Sequence, residues 1–398
     1  MFKYGKKIIN HFRNYDFVPK MVWFRSLKKA CEGIGITINE ETLANIDTYK
    51  TGYKNIDTKE KIIGDETYFI YSCSKPITCA VALHAYEEGY FLLNDPVGKF
   101  LPEFYDCKVR KIMPDGSEEL VPLTKPIRIQ NLFSMSAGLT YDIENPVIKE
   151  VIQKYEGNPS TREVIRAIAK MPLIFEPGAN FEYSLCHDVL ACLVEVAVGM
   201  PFYEYAKKVI FDPLEMKETS YRANEHLLNK LNGLYLRSWE DGTLNLLPKN
   251  NHFVFGNNYD SGGAGLITTV NDYAKFACAM ANYGLGLNGN RILSKSTINL
   301  MRTNILSGQA FETFNSWDTN AEYGYGFGVR TKIGVGWGGS LTSIGEFGWD
   351  GAAGSLVSID PEREIALVYF QHTLNPIIGI MHPRIKMFTV LGIEELNK

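Results

Sequence analysis

The chain has 398 residues, of which 45% are hydrophobic and 22% charged, and a formal net charge of −4 at neutral pH. At roughly 100 to 200 residues per domain, that length allows two or three lobes with a sizeable core. Acids and bases are interspersed without the basic stripe that neutralises a phosphate backbone, which excludes nucleic acid as an expected partner.

At the start of the chain Lys3, Lys6 and Lys7 are followed only by Ile8 and Ile9 before Asn10, His11 and Arg13. A secretory leader needs an apolar stretch of about 7 to 15 residues and a membrane helix about 18 or more. Neither pattern occurs, so a cytoplasmic protein with no membrane span is expected. The N-terminal 60 residues are the least readable part of the chain. From Glu66, the run Thr67-Tyr68-Phe69-Ile70-Tyr71 reads as a β-rich lead into Ser72, and an apolar helix then continues to Glu88 before Gly89 stops it. Pro76 falls in that helix's first turn, where a missing N–H costs least, so Ser72 lies at or near a helix N-terminus.

Residues 95–254 read as one inserted, mostly helical lobe. Ser160 and Glu163 make a capping box ahead of Val164, Ile165 and Ile168, and a second helix spans residues 185–198 before Gly199. After Ser261-Gly262-Gly263-Ala264-Gly265 a helix occupies residues 271–284. Strands are then expected at 325–331, 355–359 and 365–371, and a terminal helix after Pro376. Residues 1–94 with 255–398 thus form an α/β lobe, and the fold class is α+β: an antiparallel β-sheet flanked by helices, with the nucleophile helix at its edge.

Seven cysteines contain no C-x-x-C pair, and seven histidines contain no H-E-x-x-H. Neither a disulfide framework nor a metal site is expected, and no cofactor. Gly284-Leu285-Gly286-Leu287-Asn288-Gly289 matches G-x-G-x-x-G, but it follows a helix instead of a strand, so it reads as a turn. The absence of a G-x-S-x-G elbow argues against an α/β-hydrolase.

A serine hydroxyl is a poor nucleophile until a neighbour removes its proton, and a lysine three residues on along a helix faces the same side. Ser72 and Lys75 have that spacing, whereas Cys73 and Ser74 are wrongly phased. The helix N-terminus also favours a developing alkoxide. By itself the S-x-x-K pair is a weak match that chance supplies in most chains of this size, and it reads first as an N-cap serine followed by a solvated lysine.

Its surroundings are more specific. Tyr68 to Lys75, Leu92-Leu93-Asn94-Asp95-Pro96-Val97 and Asn131-Leu132-Phe133-Ser134-Met135-Ser136-Ala137-Gly138-Leu139 occur in order with Glu176-Pro177-Gly178 and Phe181-Glu182-Tyr183-Ser184-Leu185. Asp212-Pro213-Leu214-Glu215-Met216 and Gly262-Gly263-Ala264-Gly265-Leu266 follow. Together these blocks resemble the β-lactamase-like serine hydrolases of the penicillin-recognising superfamily, which includes class C β-lactamases, D,D-peptidases and family VIII carboxylesterases.

The resemblance implies a β-lactamase/transpeptidase-like fold and an acyl-enzyme on Ser72, with Lys75 and Tyr183 as its catalytic partners. Tyr183 matches the tyrosine of the Y-x-N element, a phenolate-like base that Lys75 would hold deprotonated. Leu185 stands where many members carry an amide and would face the substrate, while Asp188 reads as structural. For the third element, Trp349-Asp350-Gly351 is preferred over Trp337-Gly338-Gly339, because a β run and the turn Asp360-Pro361 follow it. Trp349, Asp350 and Gly351 are then substrate-binding positions, and Ser72 and Ala352 supply the oxyanion N–H groups. Tryptophan in place of a cation removes a partner for a substrate carboxylate and offers an apolar wall, which points to a small ester. A carboxylesterase or acyl transferase on a small-molecule ester or amide is the leading reading. A β-lactamase, D,D-peptidase or D-aminopeptidase is the alternative, and a non-catalytic penicillin-binding-like protein the third.

Overall fold

The computed structural model describes residues 20–26, 44–317, 320–335 and 338–396. Its frame is a seven-stranded sheet of β1 (Lys20–Ser26), β2 (Ala44–Lys50), β3 (Tyr323–Tyr325), β4 (Arg330–Lys332), β5 (Phe347–Asp350), β6 (Leu356–Asp360) and β7 (Ile365–Phe370). The order is β3-β4-β5-β6-β7-β1-β2, and every neighbouring pair is antiparallel. Alternation along β7 explains why both faces are covered. Leu367 and Tyr369 pack with Met381 and Ile385 of the terminal helix α4 (Ile378–Leu396), while Ala366, Val368 and Phe370 join the main core against α3 (Val270–Ala281). Each such large side chain taken from water contributes about 1.5–3 kcal/mol.

Helix α1 (Ser74–Glu87) is buried on nearly all sides. It packs against α2 (Cys186–Val198), where Cys79 Sγ meets His187 Nε2 at 3.5 Å, and α2 is apolar enough to be a core helix itself. The main core runs without a break from Phe370 on the sheet to Ile148, Val164 and Leu190 among the inserted helices. The Ser160–Glu163 capping box closes both ways on the helix Thr161–Ile168, and α2 ends at Gly199 in the left-handed region.

One expectation is corrected. Residues 325–331 are not one strand: β3 and β4 pair Tyr325 with Arg330 across a tight turn containing Gly326 and Gly328. An added Cβ on Gly328 would collide with Cys79 Sγ, so the turn folds into the core. The inserted segment also carries two hairpins, Lys108–Ile112 with Glu118–Pro122 and Tyr235–Arg237 with Leu244–Leu246, between its helices. β1 and β2 complete the sheet from the least readable, N-terminal stretch. Among the described residues no single helix is long and apolar enough to cross a membrane.

Candidate active site

Ser72 sits where a strand becomes a helix. The short strand Thr67–Phe69 pairs with Ile267–Thr269, Tyr71 turns through φ +47°, and Tyr71–Cys73 makes one 3-10 turn before α1. A left-handed conformation at a bulky residue costs on the order of 1–3 kcal/mol and persists only where packing over-determines it. Tyr71 is fully buried, with the His252 and Phe253 rings 6.0 and 5.9 Å away. The Tyr273 hydroxyl donates to the Cys73 carbonyl at 2.7 Å, and the Leu266 N–H donates to Ser74 Oγ at 3.0 Å. Cys73 and Ser74 are therefore occupied in anchoring the elbow, and Ser72 is left half-buried.

Lys75 is fully buried one turn on. Its Nζ lies 3.2 Å from Ser72 Oγ, donates to the Gly263 carbonyl at 2.7 Å and stands 4.5 Å from the centre of the Tyr183 ring. Burial lowers its pKa to about 7, against the opposing pull of Asp188. Near neutral pH a large share of Lys75 is thus an uncharged amine beside the serine hydroxyl.

The Tyr183 ring is stacked between Tyr141 (5.5 Å, 14°) and Trp349 (5.6 Å, 22°), with Trp317 edge-on at 6.1 Å. The indole N–H of Trp349 donates to the Tyr183 hydroxyl at 3.0 Å. Because an indole only donates, that bond is received on a lone pair of the phenol oxygen, and Ser72 is the other polar side chain acting on the same oxygen. Burial raises the Tyr183 pKa above its ordinary value, and the bonds from Ser72 and Trp349 oppose this. The expected phenolate held down by an ammonium is thereby reversed. Desolvation disfavours both charges, and an uncharged amine exerts no pull on the phenol.

Trp349 and Asp350 are adjacent on β5 and point to opposite faces. Trp349 joins the aromatic stack, whereas Asp350 turns to the far side and accepts from Arg330 at 2.8 and 3.2 Å, with His382 Nδ1 3.4 Å away. Burial pushes the Asp350 carboxyl up, but Arg330 and then His382 hold it well below the usual range. Asp350 is therefore consumed by a buried ion pair and does not face the substrate as expected. Gly351 is also reassigned: an added Cβ would collide with Ser355 Oγ and the Ile70 carbonyl, so its role is to let this turn approach the Ser72 elbow. Its N–H donates to Ser355 at 2.8 Å, and Cys73 Sγ lies 3.5 Å from the Trp349 carbonyl. Ala352 is exposed at the tip of that turn. Leu185 is 2% exposed and packed in the main core at the start of α2, which leaves no surface to offer a ligand. Trp337, of the other W-x-G run, lies outside the described residues.

Sequence alone left Tyr141 and Gly263 without roles and gave Asp188 only a structural one. The signal for the first two was their place beside matching blocks, Gly138-Leu139 and Gly262-Gly263-Ala264-Gly265. Among the described residues no group of three or more His, Cys, Asp or Glu side chains is arranged to hold a metal.

The family model described as Beta-lactamase matches residues 20–377. An uncharacterized protein of Mycobacterium tuberculosis is 27% identical over 340 residues, covering 81% of each chain. The lovastatin esterase of Penicillium rubens is 26% identical over 298 residues, covering 72% of each. Among solved structures, EstCE1, a hydrolase with promiscuous acyltransferase activity, superposes with a TM-score of 0.72 at 20% identity, over 98% of this chain and 97% of its own. That likeness shows the β-lactamase/transpeptidase-like fold, and the family match shows the family: this chain belongs to the Beta-lactamase family.

Proposed function

We propose that the protein is a serine esterase or acyl transferase that forms an acyl-enzyme on Ser72. The observation that carries this reading is the buried Lys75 amine 3.2 Å from Ser72 Oγ, with the Tyr183 ring centre 4.5 Å from that amine. In the reaction the Ser72 proton passes to Lys75 Nζ as Oγ attacks the ester carbonyl carbon. The resulting oxyanion is received by the N–H groups of Ser72 and Ala352, where losing one such donor costs on the order of 10²- to 10³-fold. The C–O bond then breaks, and the leaving alkoxide takes a proton from Tyr183, which is restored by Lys75. Water or a second alcohol repeats the steps in reverse to release the acyl group.

Two features favour esters over carboxylate-bearing β-lactams or D-peptides. Trp349 provides a flat apolar wall, and Arg330 on the neighbouring strand is fully engaged by Asp350. The name of the Penicillium relative, an esterase, and the description of EstCE1 agree with this choice. The test is turnover by the wild type and Ser72→Ala of short-chain p-nitrophenyl esters, a chromogenic cephalosporin and D-Ala-D-Ala peptides. Ser72-dependent ester turnover without cephalosporin turnover is expected. Faster cephalosporin hydrolysis would favour a β-lactamase, and no Ser72-dependent signal would favour an idle protein.

A further inference from the structure

The carboxylate of Asp188 has no place in the steps above, yet it is 1% exposed on the first turn of α2 and close to the amine that takes the serine proton. It accepts from the Tyr259 hydroxyl and from Ser261 Oγ, each at 2.8 Å. Ser261 in turn receives the Ala264 N–H on its Oγ at 3.2 Å and the Gly265 N–H on its carbonyl at 2.8 Å. Between them lies Gly263. Its N–H faces the Asp188 carboxylate, its carbonyl accepts from Lys75 at 2.7 Å, and an added Cβ would stand 2.5 Å from Asp188 Oδ2. Asp188 thus shapes the loop whose carbonyl fixes the Lys75 amine.

The other titratable groups around Lys75 carry no charge near neutral pH. Burial raises the thiols of Cys73, Cys79 and Cys186 and the phenols of Tyr141 and Tyr183, and lowers His187 to about 3. Asp188 is the carboxylate that acts most strongly on the amine. Its own acidity is weakened by burial and restored in part by Ser261, Lys75 and Tyr259.

We propose that Asp188 is the positioning residue of Lys75, holding the amine in place through Gly263 and, by its charge, setting the pH at which that amine becomes able to accept the serine proton. The proposal rests on the reading of Ser72 and Lys75 given above. Removing the charge makes the ammonium less stable, so a neutral residue at 188 lets Lys75 lose its proton at lower pH.

The experiment is the pH profile of kcat/KM for a p-nitrophenyl ester, read at a wavelength where the released phenol absorbs equally in both ionisation states. The rate of fluorophosphonate labelling of Ser72 over the same pH range is a second readout. In Asp188→Asn the acid limb is expected to move down by about one unit or more, the range for loss of a nearby opposite charge, while the plateau falls. Asp188→Glu keeps the limb near its wild-type position. If Asp188→Asn does not fold, Tyr259→Phe serves: removing a donor weakens the carboxylate's ionisation and moves the limb in the same direction by less. A limb that stays in place or moves up, with only the plateau reduced, overturns the proposal. A wild type that neither turns over the ester nor labels at Ser72 overturns the reading of the site together with the proposal.

Discussion

Replacing Arg330 with methionine is expected to destabilise the protein by about 3–5 kcal/mol, the cost of leaving one charge of a buried pair without its partner. The side chains of Arg330 and Asp350 are 8% and 19% exposed, and the guanidinium reaches both carboxylate oxygens. His382 remains 3.4 Å from Asp350 after the change and also donates to the Gly354 carbonyl at 3.1 Å, which places the loss toward the lower end of that range. A thermal midpoint lower by roughly 4–6 °C follows. Asp350 begins residues 350–354, the turn that carries Ala352, so kcat should fall as well. The double variant Arg330→Met with Asp350→Leu removes both charges and is expected to recover most of the stability. Melting curves of the two single variants and the double variant test this. If Arg330→Met lies within about 0.5 kcal/mol of the wild type, or the two single losses simply add, the ion pair is not what holds the turn.

Ester hydrolysis by the wild type should fall off below about pH 7, where Lys75 is protonated and can no longer accept the Ser72 proton; the acid limb of kcat/KM measures this. Lys75→Met should lose roughly 10²- to 10⁴-fold in kcat/KM, with little change in fold as judged by circular dichroism. Trp349→Phe keeps a ring against Tyr183 but deletes the N–H bonded to its hydroxyl. A hydrogen bond of about 0.5–1.5 kcal/mol translates into a roughly 3- to 10-fold lower kcat, measured by steady-state kinetics. Gly351→Ala forces the turn away from Ile70 and should cost about 1–3 kcal/mol in stability together with activity, read by melting and turnover on one preparation.

Legibility in the sequence followed the range over which each interaction acts. Ser72 and Lys75 are three residues apart at one helix start, a local relation that spacing expresses directly, and the capping box at Ser160 is local in the same sense. Strand alternation was available too, and it implies that Trp349 and Asp350 cannot both face one ligand, although which of them turns inward depends on what packs behind the sheet. Arg330 and His382, which settle it, are 20 and 32 positions away. The hairpin at residues 108–122 was signalled by Pro114-Asp115-Gly116 and by Val109 and Val121 among charged neighbours, a turn signature passed over in favour of a helical lobe. The break between β3 and β4 was marked by Gly326 and Gly328, and it reads as a strand only if the glycines are ignored. Protonation was not legible. Whether Lys75 carries its charge depends on how deeply α2, Tyr141 and Gly263 bury it, and no spacing rule reports depth.

The central claim is that Ser72 forms an acyl-enzyme with a neutral ester. Its most direct measurement is intact-protein mass spectrometry after rapid mixing with a slowly hydrolysed ester, followed by peptide mapping. The mass of the acyl group is expected to appear on Ser72 in the wild type, to be absent in Ser72→Ala, and to accumulate more slowly below pH 7 as Lys75 gains its proton. An acyl group on another residue, or ester turnover that survives Ser72→Ala unchanged, would contradict the claim.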